Sequence, residues 1–259
     1  MARTAMQLIA RVGLRQSEEQ LQHDAQAYWT RDALHAPNMF HWRGPEGIPD
    51  DAYDRMGARN VERFRRFAAA LDFPTTDLRI LEWGCGGGAL LRAFAPHANQ
   101  LVGVDISPES LDRSVTELAG TGVPFEPILV TVEDPEAARD RLDTPVDLFV
   151  CINVMELLPS NAYGLRMLRL AHDVLRPGGM AFVQIRYTTD DTASRPKRAF
   201  YRANTAFMAA YPLDEFWETC QRLDLIPQLL TIEPREEIIG DRYAYYALLK
   251  PEGGTGPQD

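Results

Sequence analysis

The chain has 259 residues and a formal net charge of −10, with 45% hydrophobic and 25% charged residues. This is long enough to bury a sizeable core and too acidic for a general nucleic-acid or anionic-membrane binder. No apolar run approaches the roughly 20 residues that cross a bilayer, and the broken stretch around Arg3, Arg11 and Arg15 does not read as a signal peptide. The three cysteines, Cys85, Cys151 and Cys220, have no metal-site spacing and cannot all pair within one chain, so a reducing, cytoplasmic setting is expected. Lys197 and Lys250 are the only lysines, a bias expected of a GC-rich bacterial coding sequence.

Ser17-Glu18-Glu19-Gln20 resembles a capping box and predicts a helix through about Trp29. Pro37, Gly44, Pro45, Gly47 and Pro49 predict an irregular loop over 35–50. Asp50 to Leu71 read as a helix, with Tyr53, Met56, Phe64, Phe67 and Leu71 largely on one stripe. Strand and helix then alternate from Leu78 to Val183, with helices expected near 108–119, 134–142 and 161–175. That alternation predicts a parallel sheet with helices on both faces. Residues 188–211 break the pattern, and the basic run from Arg195 to Arg202 reads as a solvated face. Leu213 to Leu223 read as a helix. Ile226 to Ile232 and Tyr243 to Leu249 read as two last strands, an antiparallel hairpin with a long connection. The Gly/Pro-rich tail, 251–259, is expected to be disordered. The expected organisation is a helical cap over 1–50, an α/β domain over 51–250, and the tail.

The most informative segment is Ile80-Leu81-Glu82-Trp83-Gly84-Cys85-Gly86-Gly87-Gly88, a buried strand running into a glycine turn, with a helix from Ala89. Glycines let a ligand approach the backbone closely, and the helix offers free N–H groups and a positive dipole end. A second apolar strand, Gln100 to Val104, ends in Asp105, 23 residues beyond Glu82. A carboxylate there can accept hydrogen bonds from both ribose hydroxyls, so the pair describes a pocket for an adenosine-type cofactor. Asp105 is equally placed before a helix start, with Ser107 as cap and Pro108 in the first turn. Gly84 to Ala89 also fit G-x-G-x-x-A, which leaves a dinucleotide-dependent oxidoreductase as an alternative. The acid before the first glycine and the position some 80 residues into the chain speak against it.

Four features together resemble the class I S-adenosylmethionine-dependent methyltransferases. Residues 80–88 fit the family's first motif, aliphatic-aliphatic-(Glu/Asp)-x-Gly-x-Gly-x-Gly. Asp105 matches its ribose-binding acid. Val146 to Asn153 match the fourth strand, and Leu175-Arg176-Pro177-Gly178-Gly179 the turn before the fifth. The resemblance covers about residues 50–250. It implies a doubly wound, Rossmann-like, mostly parallel seven-stranded sheet whose last strand is antiparallel, here with an N-terminal helical cap. It implies S-adenosylmethionine as cofactor and S-adenosylhomocysteine as product. Gly84, Cys85 and Gly86 would lie against the methionine part, with Trp83 beside them, bulky for its position. Glu82 would organise the loop and reach the amine through water. Asp105 would hold the ribose, Ile106 the adenine face, and Val132 or Glu133 the adenine edge, because Thr131-Val132-Glu133-Asp134 replaces the usual Gly-Asp. Ile152 and Asn153 would face the transferring methyl. The segment Val154-Met155-Glu156-Leu157-Leu158-Pro159 has leucine where many relatives carry histidine, so a base from that point is missing. A non-catalytic adenosyl-ligand binder with the same fold is a further alternative.

The acceptor is expected beyond the strand ends, between the cap and the segment after the fifth strand. Tyr28, Trp29, His35, Phe40, His41 and Trp42 are candidates for a lid, and Arg186 and Tyr187 for the opposite wall, where arginine suits a carboxylate or phosphate. His41 and His35 are candidate bases, followed by Glu156 and Tyr187. Asp190 and Asp191 lack a third ligand at metal spacing, so no metal is expected. The expected acceptor is a small molecule, a glycosyl unit or specialised metabolite, with neither nucleic acid nor membrane as partner. A homodimer through the cap or the last strands is compatible with the sequence.

Overall fold

The computed structural model describes residues 15–32, 50–233 and 242–253. The expected loop with His35, Phe40, His41 and Trp42, and most of the tail, lie outside the described residues.

Ser17 caps the first described helix, α1 (Glu18–Ala27), accepting the Gln20 N–H at 3.2 Å. A π-type turn, Tyr28–Asp32, follows where the sequence predicted helix to Trp29. The next elements are α2 (Asp50–Ala70), β1 (Leu78–Trp83), α3 (Ala89–Phe94), β2 (Ala98–Asp105), α4 (Pro108–Leu118), β3 (Phe125–Leu129) and α5 (Ala137–Arg141). They continue with β4 (Val146–Cys151), α6 (Asn161–Val174), β5 (Leu175–Arg186), α7 (Tyr201–Asn204), α8 (Leu213–Arg222), β6 (Ile226–Ile232) and β7 (Tyr243–Leu249).

The strands form one seven-stranded sheet in the order β3-β2-β1-β4-β5-β7-β6. β1 to β5 pair in parallel, and β7 runs antiparallel to both β5 and β6. β1 is buried along its whole length, as a central strand covered on both faces must be. Successive residues feed opposite cores. Leu78 and Ile80 pack with Phe64, Phe67, Leu91 and Phe94 of α2 and α3. Leu81 and Trp83 pack with Leu21, Ala25, Met167 and Leu168 of α1 and α6. The first helix is thus part of the main core, seated on the sheet. β5 begins at Leu175, earlier than the expected turn. Leu175 pairs with Val146 and Met180 with Leu148, so Pro177-Gly178-Gly179 loop out between them.

In the run 195–202 Arg195, Arg198 and Arg202 are exposed, as expected of a solvated face, whereas Lys197 and Tyr201 turn inward and are buried. Trp29 Nε1 donates to the Tyr201 hydroxyl at 2.8 Å, and that hydroxyl donates to the Leu157 carbonyl at 2.5 Å. These bonds anchor the segment to α1 and to the loop after β4. No helix among the described residues is long and apolar enough to cross a membrane.

Gly164 of α6 lies against the Tyr211 ring, where an added Cβ would overlap the hydroxyl. That hydroxyl is buried and meets no hydrogen-bond partner among the described residues. Gly164→Ala should therefore destabilise by about 1–3 kcal/mol, the usual cost of overpacking. Tyr211→Phe alone should raise the melting temperature or leave it unchanged, since it removes an unsatisfied polar group. The double variant should recover part of the Gly164→Ala loss in thermal denaturation; strict additivity would refute this packing account.

Candidate active site

A cleft of about 220 Å³ opens at the carboxyl ends of β1 to β4, with the order reversing between β1 and β4. In a doubly wound sheet the connections diverge at this point and leave a crevice. The floor is the loop after β1. Gly84 and Cys85 both donate their N–H groups to the Val104 carbonyl, at 2.8 and 3.1 Å, which folds the loop over the end of β2. Gly84 takes φ +70°, and a Cβ there would come within 2.6 Å of Val154 Cγ2. Gly86 takes φ +50°, and a Cβ there would meet nothing within 4 Å. The loop therefore leaves open space above its backbone for a ligand.

Asp105 shapes this loop. Its Oδ2 accepts the Gly86 N–H at 2.9 Å and its Oδ1 accepts the Ser107 N–H at 2.8 Å. A carboxylate has about four lone-pair sites, so each oxygen can still accept a hydroxyl from the cleft. Ser107 also caps α4, as expected for the segment after Asp105. Glu82 is 4% exposed on the cleft wall. Its Oε2 meets no hydrogen-bond partner among the described residues. Burial pushes its carboxyl well above the ordinary 4.5, and the negative charge of Asp105 adds to the rise, against the Leu91 N–H. Asp105 is likewise raised, mainly by burial. No arginine, lysine or histidine among the described residues lines the cleft.

Trp83, Gly84, Cys85, Gly86, Ile106, Val132, Ile152, Asn153 and Trp29 join Glu82 and Asp105 on the wall. Asn153 takes φ +58°, and its N–H donates to Gln184 Oε1 at 2.9 Å. Tyr28 packs behind the wall, edge-on to Trp29 and Tyr201. The Val132 N–H is engaged by Gln26 Oε1 at 2.8 Å, and its carbonyl by the Tyr163 hydroxyl at 2.8 Å. Val132 therefore presents its side chain to the cleft rather than a free backbone edge.

Four expectations are corrected. Glu133 is exposed and off the wall; its carbonyl instead receives Arg166 Nη2. Glu156 is buried, beneath Leu157, Leu158 and Pro159, which take the wall positions. Arg186 is buried, with its guanidinium on the Ser194 and Ala193 carbonyls and 5.0 Å over the Phe207 ring. Its charge thus holds the following segment and does not face the cleft. Tyr187 is off the wall too, bridged to Tyr211. His35, His41 and Trp42 lie outside the described residues. The sequence reading missed Gln26, Asn60 and Tyr163, neutral residues with no motif around them.

Residues 81–181 match the family model described as a methyltransferase domain. The ubiquinone biosynthesis O-methyltransferase of Sinorhizobium medicae (strain WSM419) is 33% identical over 110 residues, 42% of this chain and 42% of the relative. The alignment thus spans about two-fifths of that relative's length. Magnesium protoporphyrin IX methyltransferase from Synechocystis PCC 6803, solved with bound S-adenosylhomocysteine, is similar with a TM-score of 0.62 at 12% identity, covering 88% of this chain and 99% of that one. The Burkholderia thailandensis 1,6-didemethyltoxoflavin-N1-methyltransferase gives 0.54 at 17% identity, covering 78% and 80%. At these identities the structural likeness is one of fold. The strand order and the glycine loop agree with that match: residues 81–181 form a methyltransferase domain within a class I, Rossmann-like fold.

Proposed function

We propose that this chain transfers a methyl group from S-adenosylmethionine to a small-molecule acceptor, by O- or N-methylation of a glycosyl unit or specialised metabolite in a cytoplasmic setting. The observation that carries this reading is the buried, unpartnered Glu82 oxygen in a cleft with no lining cation among the described residues. Such a wall favours a ligand that brings positive charge, as an amine and a sulfonium do. It opposes a pyrophosphate, which would place two negative charges beside Glu82 and Asp105. The fit extends to the open backbone at Gly86 and the spare lone pairs of Asp105.

When bound, S-adenosylmethionine would supply an electrophilic methyl on sulfur. In this reading Glu82 holds the amine, Asp105 the ribose hydroxyls, and Ile106 and Val132 the adenine. Ile152 and Asn153 border the position where acceptor and methyl meet. Trp29, Leu157 and Leu158 exclude water from it. Much of the acceleration then comes from placing the nucleophile in line with the methyl. Small-molecule acceptors are named for the similar Synechocystis and Burkholderia enzymes, and a cleft of about 220 Å³ suits an acceptor of that kind.

Calorimetric titration with S-adenosylmethionine, S-adenosylhomocysteine and NADH tests this directly. Both adenosyl ligands should bind in the micromolar range and NADH should not; binding of NADH alone would overturn the reading. Asp105→Ala should weaken S-adenosylhomocysteine by about 5- to 100-fold, since an unpaired buried hydrogen-bonding group costs about 1–3 kcal/mol.

Glu82→Gln offers a ligand-free check. A carboxyl whose folded pKa is raised gives stability that is complete below its unfolded value and is lost as pH rises through the folded one. The unfolded value is near 4.5. The glutamine variant should therefore melt higher than wild type at pH 7 without ligand, and the gap should close as pH falls towards 4.5. It should also bind S-adenosylmethionine more weakly. A wild type that is more stable than the variant at pH 7 would mean that Glu82 has a charge partner.

His41 is retained as the proposed base for a hydroxyl acceptor. His41→Ala should lower turnover by about 10²–10⁴-fold with S-adenosylhomocysteine affinity unchanged; full activity would remove it from that role.

A further inference from the structure

Beside the cleft, between α2, β5 and β7, lies a narrow crevice of about 20 Å³ lined by Asn60, Arg63, Asn153, Gln184, Tyr243 and Tyr245. Asn60 and Asn153 also line the main cleft, so the crevice opens beside Asn153, where the methyl is proposed to be transferred. Its volume suits a single oxygen-sized group.

Its polarity is one-sided. Gln184 is fully buried, and its Oε1 is fixed by the backbone N–H of Asn153 at 2.9 Å. A backbone donor sets the amide's orientation, so Nε2 is the end left over, and it meets no acceptor among the described residues. Asn60 repeats the pattern. Its Oδ1 accepts Arg63 Nη1 at 2.8 Å, leaving its amide N–H₂ as what it offers. Arg63 is held rigidly, with Nε on Glu233 at 3.0 Å and its guanidinium 4.3 Å over the Tyr245 ring. Arg59 stands at the rim, and no carboxylate among the described residues lines the crevice. Two amide donors with their oxygens already engaged, beside an arginine, form a place for an acceptor oxygen, and an anionic one above all.

Resting on the methyltransferase reading, we propose that this crevice anchors the methyl acceptor by a carboxylate, one oxygen seated on Gln184 Nε2 and Asn60 Nδ2. The reacting group then lies in the main cleft against Asn153. The acceptor class is a carboxylate-bearing small molecule. The donor pair acts by positioning; no covalent step involves it.

The test uses the full chain saturated with S-adenosylhomocysteine, with benzoate and benzyl alcohol as probes in NMR titrations. Wild type should bind benzoate at least about tenfold tighter than benzyl alcohol. Gln184→Glu keeps an acceptor for the Asn153 N–H but puts an oxygen where the donor stood. It should abolish the benzoate preference while leaving S-adenosylhomocysteine affinity unchanged. Arg59→Gln, on the exposed rim, should weaken benzoate severalfold and provides the readout if the buried variant does not fold. Equal binding of the two probes to wild type, or a benzoate preference that survives in the folded variants, would overturn the inference. If wild type fails to bind S-adenosylhomocysteine, the methyltransferase reading itself falls.

Discussion

The cleft depends on one carboxylate at the end of β2. Asp105 accepts one N–H from the glycine loop and one from the start of α4, so it joins the exits of two parallel strands. Three glycines in the loop have positive φ. Without an acceptor for the Gly86 N–H, such a backbone would have several shapes of similar energy. The same group that fixes the loop also keeps lone pairs directed at the space the loop encloses. Shape and recognition therefore draw on a single side chain, and burial of that side chain beside Glu82 makes the pocket electrostatically hungry for positive charge.

The sheet was legible because its strands are buried on both faces and are punctuated by glycine, proline and capping residues. β6 and β7 were read to the residue, as were the acid near the end of β1 and the glycines after it. Those features carry their signal locally: a positive φ needs glycine, and a strand-end acid stands out against an apolar run. The opposite wall was not legible in the same way. Arg186 looked like an anion clamp at the end of β5, yet the chain turns back so that two carbonyls, from Ala193 and Ser194, claim its guanidinium. Glu156 looked like a base, but the turn after β4 directs it beneath the wall. Which way a side chain faces after a strand ends depends on the turn, and the turn depends on partners far along the chain.

The residues that line the other end of the cleft are ordinary amides and tyrosines within regular elements. Gln184 sits inside a strand and Asn60 inside a helix, and both were silent as sequence. Their meaning comes from what engages their oxygens: a backbone N–H for one, an arginine for the other. A neutral amide becomes a directed donor only when its other half is taken, and that is a property of three-dimensional neighbours.

The bond from Trp29 to Tyr201 has a consequence for how the protein is made. α1 emerges early in synthesis, yet its seat involves Tyr201, and the backbone N–H of Gln16 donates to the carbonyl of Arg198. The same helix carries Gln26, which engages Val132 on the cleft wall. The ribosome must therefore deliver most of the chain before its first described helix can dock. A nascent chain halted after β4 would carry the glycine loop and Asp105 but not the finished pocket. In the proposed reading, cofactor capture belongs to the end of biosynthesis, after the chain has been translated well past the sheet's midpoint.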